Sequence, residues 1–405
     1  MSITAKGLAL QRAKVLHRGS EAVSFSNRRV LLALRAWSQL LASHRSRVTA
    51  SHLVRALGRW LNGDVTHQEI ADVVEDILLC GNADHLFDVQ DALAMRRLLC
   101  SLGLFKSSES LMDFALAAVL QQAGQSDSQR DLRRLARAVL VNGEKERALE
   151  VRRVLQKSQV TLKSAGLSRY LDLWLVDEKR NFDTLLIGPA PLGPIGADAL
   201  SLAQSGRVLR VLMPGVTEWS SENDLASGAA DTIYANGQTT EWLTQLQWDE
   251  RRELLSKFQD VVVKHNEPWI AETNNVRIAN PVKDLFFSGS PNMAQIMILD
   301  QLERGQSQIF VAGVSFFLGE RTYRENQLRV FGSSGIRSDE RGSTGREFER
   351  CRAIATHDQT VNRAVLRNLF SAGVISGTDD FKRVLELDNR AYCIELDQLY
   401  GLRRI

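Results

Sequence analysis

From residue 184 onward the sequence switches between two periods, and this switching constrains the fold more than any other feature. Short apolar runs read as strands: TLLIGP (184–189), RVLRVLMPG (207–215), TIYANG (232–237), DVVVKH (260–265), DLFFSG (284–289) and QIFVAG (308–313). Stretches with helical spacing, 197–204, 239–258 and 292–304, lie between them. Strand, turn, helix, strand is the order of a parallel sheet covered by helices. The expected fold class is therefore α/β with a mostly parallel sheet. Ligands of such sheets bind beyond the carboxyl ends of the strands. Those ends are marked here by Gly188-Pro189, Pro214-Gly215, Asn236-Gly237, Lys264-His265, Ser288-Gly289 and Gly313.

Residues 1 to about 165 have helical spacing throughout. Leu31, Leu34, Trp37, Leu40 and Leu41 form one apolar stripe, and Thr66 with Glu69 fits a capping box. Further helices are expected at 88–102, 108–122, 129–141 and 144–157. Two domains follow: a basic all-helical one at 1–165, and an α/β one at 166–405 that ends in helices. Residues 332–346 (GSSGIRSDERGSTGR) are nearly free of apolar side chains and read as a mobile loop or lid.

The chain has 405 residues, and its apolar fraction of 44% supplies an ordinary core. Its four cysteines are scattered without metal-ligand spacing, as in a cytoplasmic protein with buried thiols. No stretch approaches the length of a membrane span, and MSITAKGLALQRAK lacks the apolar core of a secretory signal. Residues 1–60 hold eleven Lys/Arg and one acid, a formal +10, so the remaining 345 residues sum to −7 for the total of +3. A basic end of this kind suits an anionic partner: a phospholipid surface, nucleic acid, or the acidic remainder of the chain.

Five groups can carry chemistry. The turn GPAPLGPIG, with Gly188, Pro189 and Gly193, lets a ligand approach the backbone at a strand end. The turn Ser288-Gly289-Ser290-Pro291-Asn292 opens a helix, where backbone N–H groups converge on an anion. Lys264, His265 and Glu267 follow a strand, and His265 can act as a general acid or base. His357 lies just before a helix that Asp358 or Thr360 caps. Asp231 begins a strand; a carboxylate can attack or stabilise an oxocarbenium-like centre, but a strand start lies at the edge away from the ligand. Asp379-Asp380 reads as a helix start. No Asp-x-Asp pair stands at a strand end to hold a divalent metal on a diphosphate, so no metal is expected.

The segment SGSPNMAQIMILDQLERGQSQIFVAGVSFF, with Tyr323 shortly after it, resembles the small sialyl motif of sialyltransferase-like enzymes. DTLLIGPAPLG resembles their first strand and nucleotide-binding turn, VLRVLMPG their second strand, and HDQTVNRAVLRNLF their late histidine segment. The resemblance covers about residues 183–370. It implies a Rossmann-like (modified GT-B, sialyltransferase-like) fold and a CMP-sugar donor without a metal cofactor. With its large helical addition, the chain looks most like the O-antigen-capping β-Kdo transferase modules of bacterial lipopolysaccharide synthases. The resemblance then implies CMP-Kdo as donor, a lipid-linked glycan acceptor, a retaining reaction with Asp231 as nucleophile, and His265, Glu267 and His357 as acid/base candidates. It also assigns Ser288, Gly289, Ser290 and Asn292 to the nucleotide, with Gly188, Pro189, Gly193, Lys264 and Tyr323 as further nucleotide-binding candidates. The first turn departs from the family's Gly-Asn/Gly-x-Ser character in reading Gly-Pro-Ala-Pro. The basic N-terminal region is expected to rest on the cytoplasmic face of the inner membrane, and the helical ending LYGLRRI suits a module of a larger synthase. The alternatives are an inverting CMP-sialic-acid-type transferase and a non-catalytic helical scaffold or nucleic-acid-binding protein. Basic residues without interleaved aromatics count against the nucleic-acid partner.

Overall fold

A computed structural model describes residues 89–101, 103–121, 129–157, 162–175, 182–190, 192, 197–212, 230–280, 282, 285–305, 308–318, 351 and 353–400. The basic segment 1–60, the capping box at Thr66, Gly193, Pro214-Gly215, Tyr323 and the loop 332–346 lie outside the described residues.

The chain divides into two compact units, one of residues 1–125, 350–356 and 393–405, the other of 126–349 and 357–392. In the first, α1 (Val89–Ser101) and α2 (Phe105–Gln121) form a hairpin. Asp397 accepts from the Phe105 and Lys106 N–H groups, both at 2.9 Å, and so caps α2. Burial pushes the Asp397 carboxyl up, against those two bonds.

The second unit begins with three helices, α3 (Gln129–Asn142), α4 (Lys145–Lys157) and α5 (Leu162–Leu175). It continues as β1 (Thr184–Ile187), α6 (Ala197–Ser205), β2 (Arg207–Leu212) and β3 (Thr232–Ala235). Then follow α7 (Gly237–Gln245), α8 (Trp248–Ser256), β4 (Asp260–Val263), a 3-10 turn (Pro268–Glu272) and β5 (Val276–Ile278). The chain goes on through α9 (Met293–Glu303), β6 (Ile309–Ala312), α10 (Gln359–Ser371), β7 (Ile375–Gly377) and α11 (Asp379–Glu386). The helix α12 (Asn389–Tyr400) begins in this unit, and from Cys393 on its residues belong to the first.

All seven strands are parallel, in the order β5-β4-β3-β2-β1-β6-β7. The expected parallel α/β architecture is present, and the order reverses between β1 and β6. One face buries Leu185, Ile187, Val208 and Phe310 against α6, and Ile233, Ala235, Val261 and Val263 against α7 and α8.

Three expectations are corrected. DLFFSG (284–289) is not a strand: Leu285 and Phe286 are buried in a loop, and the edge strand is instead VRI at 276–278, too short and polar to stand out. The stretch 239–258 is two helices, broken at Leu246–Gln247, where Gln247 starts a capping box with Glu250. The expected boundary at 165/166 falls inside α5, whose Leu167, Tyr170, Leu171 and Trp174 are buried at helical spacing. Helices α3 and α5 both pack on α10. The Tyr170 hydroxyl donates to the Val365 carbonyl, and Asn368 Nδ2 donates to the Leu140 carbonyl at 2.7 Å. These contacts place 129–175 with the sheet.

On the other face α9 is buried almost all round, as its run AQIMILDQL requires. The charge within that run, Asp300, is fully buried and accepts a two-pronged bond from Arg277 of β5 at 3.0 and 2.7 Å. The Tyr234 hydroxyl donates to Asp300 at 2.6 Å and accepts from Gln301 Nε2 at 2.7 Å. Arg277 also meets Asp260 at 3.1 Å.

Burial, then the Asp300 carboxylate, pushes the Tyr234 hydroxyl above the ordinary tyrosine range, and burial does the same to Tyr170. Both are folded as neutral phenols. A folded value raised above the unfolded one contributes stability that is complete below about pH 10 and is lost as pH rises beyond it. The urea midpoint is therefore expected to fall above about pH 10. Tyr234→Phe should cost about 1 kcal/mol at neutral pH yet flatten that alkaline decline. An undiminished slope in Tyr234→Phe contradicts the assignment.

Candidate functional site

In a parallel sheet each crossover helix runs back against its strands, so helix starts gather at the carboxyl edge. Two such starts meet here. Asn292 caps α9, its Oδ1 accepting from Gln295 N–H at 3.3 Å. Asp358 caps α10 from a left-handed backbone (φ 44°), its Oδ1 accepting from Val361 N–H at 3.4 Å. Asparagine and aspartate are short acceptors suited to these positions.

The two starts are stitched together through the expected turn. The Asn292 N–H donates to Asn362 Oδ1 at 3.1 Å, and Asn292 Nδ2 donates to Gln359 Oε1 at 3.3 Å. Asn362 Nδ2 donates to the Ser290 carbonyl at 3.2 Å. The Ser288 hydroxyl is bonded to Asp358 Oδ2, so Ser288 acts as a strut between the segments. Gly289 lies directly against His357 and Asp358: a Cβ there would sit 2.5 Å from Asp358 Cβ and 2.8 Å from the His357 carbonyl oxygen, and its φ is +74°. Both the close approach and the backbone require glycine.

His357 Nδ1 lies 3.2 Å from the Ser290 carbonyl oxygen and 3.3 Å from Ser290 Oγ. A carbonyl only accepts, so Nδ1 carries the proton and Nε2 is the basic nitrogen. Both amide atoms of Gln295 and Nε2 of Gln359 are buried without a partner among the described residues. Their exposures are 0% and 1%, beside the caps of α9 and α10 respectively. Orphaned buried amides at paired helix starts are groups that water or a polar ligand satisfies. The site thus gathers the first turns of two helices, two amides, a serine hydroxyl and an imidazole base, with the Asp358 carboxylate already capping α10.

The structure brings together Ser288, Gly289, Ser290, Asn292 and His357. Gly188 and Pro189 lie at the reversal point between β1 and β6. The Gly188 N–H donates to the Ala312 carbonyl at 2.7 Å and the Ala190 N–H to that of Gly313 at 2.9 Å. A Cβ on Gly188 would run into the Gly313 backbone. The N–H groups of Gly188 and Ala190 are therefore spent on Ala312 and Gly313.

The other candidates lie apart. His265 and Lys264 are exposed at the end of β4, three strands from β1, roughly 14 Å at ordinary strand spacing. The His265 ring lies over the start of α7, with Nε2 3.7 Å from where a Gly237 Cβ would be. Glu267 starts the 3-10 turn. Asp231 is at the opposite, amino edge. Its Oδ2 accepts from Val208 N–H at 2.8 Å and its Oδ1 from Gln259 Nε2 at 3.0 Å, which ties the starts of β2, β3 and β4 together. The nucleophile position carried over to Asp231 thus lies a strand length from the carboxyl-edge turns.

Sequence reading missed Gln295, Gln359 and Asn362. Each falls within the first turn or so of a helix, where polar residues read as solvated, and their burial is the signal that identifies them. Among the described residues no three His, Cys, Asp or Glu side chains gather as a metal site, and no helix is long and apolar enough to cross a membrane. No family model matches the chain, and no curated protein matches it.

Proposed function

We propose that the α/β unit is a CMP-sugar-dependent glycosyltransferase, with CMP-Kdo as the favoured donor and a bacterial surface glycan such as the O-antigen of lipopolysaccharide as acceptor. The observation that carries this reading is the packing of the Ser288–Asn292 turn against His357–Asn362. It sets the Asn-capped start of α9 and the Ser290 hydroxyl beside a histidine base at the ligand edge of a parallel sheet, an arrangement suited to a phosphate ester. The phosphate of the donor takes the backbone N–H groups and Ser290; His357 Nε2 takes the proton of the acceptor hydroxyl. The acceptor oxygen then bonds to the anomeric carbon as the sugar–phosphate C–O bond breaks. CMP leaves with that electron pair, its charge offset by the start of α9.

The placement of Asp231 favours direct displacement with inversion over a retaining route through a glycosyl-enzyme. The basic residues 1–60 suit an anionic leaflet on which lipid-linked acceptors lie, each well-placed Lys/Arg adding about 1 kcal/mol.

Incubation with CMP-Kdo and, separately, CMP-sialic acid tests the reading. The expected result is CMP release dependent on an acceptor glycan, with the anomeric configuration of the product inverted. No turnover or binding of either donor refutes it, and salt-sensitive binding to nucleic acid in their place favours the scaffold reading.

A further inference from the structure

The loop after β6 holds two aromatic residues in a backbone that resists them. The Leu318 N–H donates to the Ser315 carbonyl at 2.9 Å, closing a four-residue turn with Phe316 and Phe317 at its centre. Both have positive φ, 47° and 68°. That pattern belongs to primed turns, where Gly, Asn and Asp normally sit, and a bulky residue there is strained. Such strain persists only where the surroundings over-determine it, and it clusters at ligand sites.

The surroundings are visible at Phe316. It is buried, its ring stacks on Phe381 with centroids 5.9 Å apart, and its carbonyl accepts from the Tyr392 hydroxyl at 2.8 Å. Phe317 is carried by the same turn but is only partly buried. The turn begins three residues after the last residue of β6, beside the Gly188–Gly313 contact, where the strand order reverses. A crevice at a reversal of strand order is where doubly wound sheets take a nucleotide.

We propose that Phe317 is an aromatic platform on which the base of the bound nucleotide stacks, the strained turn fixing its ring at the rim of the β1/β6 crevice. This rests on the nucleotide-donor reading above. It complements the phosphate site, because the N–H groups of Gly188 and Ala190 are spent on Ala312 and Gly313 and the base needs a face to lie on.

Calorimetric titration of the full chain with CMP, UMP, AMP and inorganic phosphate tests it. Phe317→Asn is expected to weaken nucleotide binding about tenfold, the scale of one base–aromatic stack, and to leave phosphate binding unchanged. Its melting temperature should rise by about 2–4 °C, because asparagine accepts the left-handed backbone. Phe317→Tyr should keep the original affinity. Equal CMP affinity in the original and Phe317→Asn proteins overturns the platform and leaves the CMP reading standing. Joint loss of nucleotide and phosphate binding with a lower melting temperature also overturns it, since that is the behaviour of a core residue. A tenfold loss for UMP or AMP, with no CMP binding, supports the platform and sinks the CMP assignment. Binding of no nucleotide by the original protein sinks both.

Discussion

Arg277→Ala is expected to lower the stability of the α/β unit by about 3–5 kcal/mol, the cost of leaving a buried charge without its partner. Asp300 has no exposed surface, and both of its oxygens receive Arg277 nitrogens at 3.0 and 2.7 Å. Without the guanidinium, that carboxylate keeps, among the described residues, the Tyr234 hydroxyl and the Asn280 N–H, at 2.6 and 2.9 Å. Neither supplies a full opposite charge. Arg277 also joins the edge strand to α9, so its loss releases β5 and the helix that carries the Ser288–Asn292 turn. The exposed pair Lys382–Asp379, with N···O 3.6 Å and solvent around both groups, is the control: Lys382→Ala should leave the unfolding midpoint in place. Equal effects from the two substitutions would show that burial does not govern the pair.

His357→Ala is expected to reduce turnover of the CMP-sugar about 10²–10⁴-fold, the usual contribution of a positioned general base, with little change in donor KM. The ring bonds to Ser290 of a surface turn and is only partly buried, so the variant should keep its melting temperature within a few degrees. Gly289→Ala gives a different signature. A Cβ 2.5 Å from that of Asp358 forces the turn away from the start of α10, so donor binding should weaken together with turnover. If His357→Ala and Gly289→Ala both raise KM and leave kcat alone, the site is a binding surface and His357 is not a base. Unchanged turnover in His357→Ala, with a loss in His265→Ala, would transfer the role to the end of β4.

Much of this arrangement was legible before the structure. Five of the seven strands follow from apolar runs ending in Gly, Pro, Asn or Lys-His, because buried parallel strands have no polar face to obscure them. The Ser288–Asn292 turn was legible for a local reason: Asn292 caps its own helix, three residues from the N–H it accepts. The edge strand VRI and the short β7 were not legible, because three residues hold too little pattern. Helix α5 did carry its pattern in Leu167, Tyr170, Leu171 and Trp174, but it straddled an expected domain boundary.

The sequence alone determined which segments become strands and helices, and which turns end at the ligand edge. Those properties depend on neighbours a few residues apart: periodicity, capping side chains and the backbone freedom of glycine. Tertiary structure decided which candidates share a site. Ser290 and His357 are 67 positions apart and meet because the starts of α9 and α10 lie side by side. His265 lies nearer to Ser290 in sequence, yet strand order places it near the far edge. Asp231 is turned to the opposite edge because a parallel strand has its two ends a full strand length apart. Chain connectivity fixes strand direction locally, whereas strand order is a long-range packing outcome that no local pattern records.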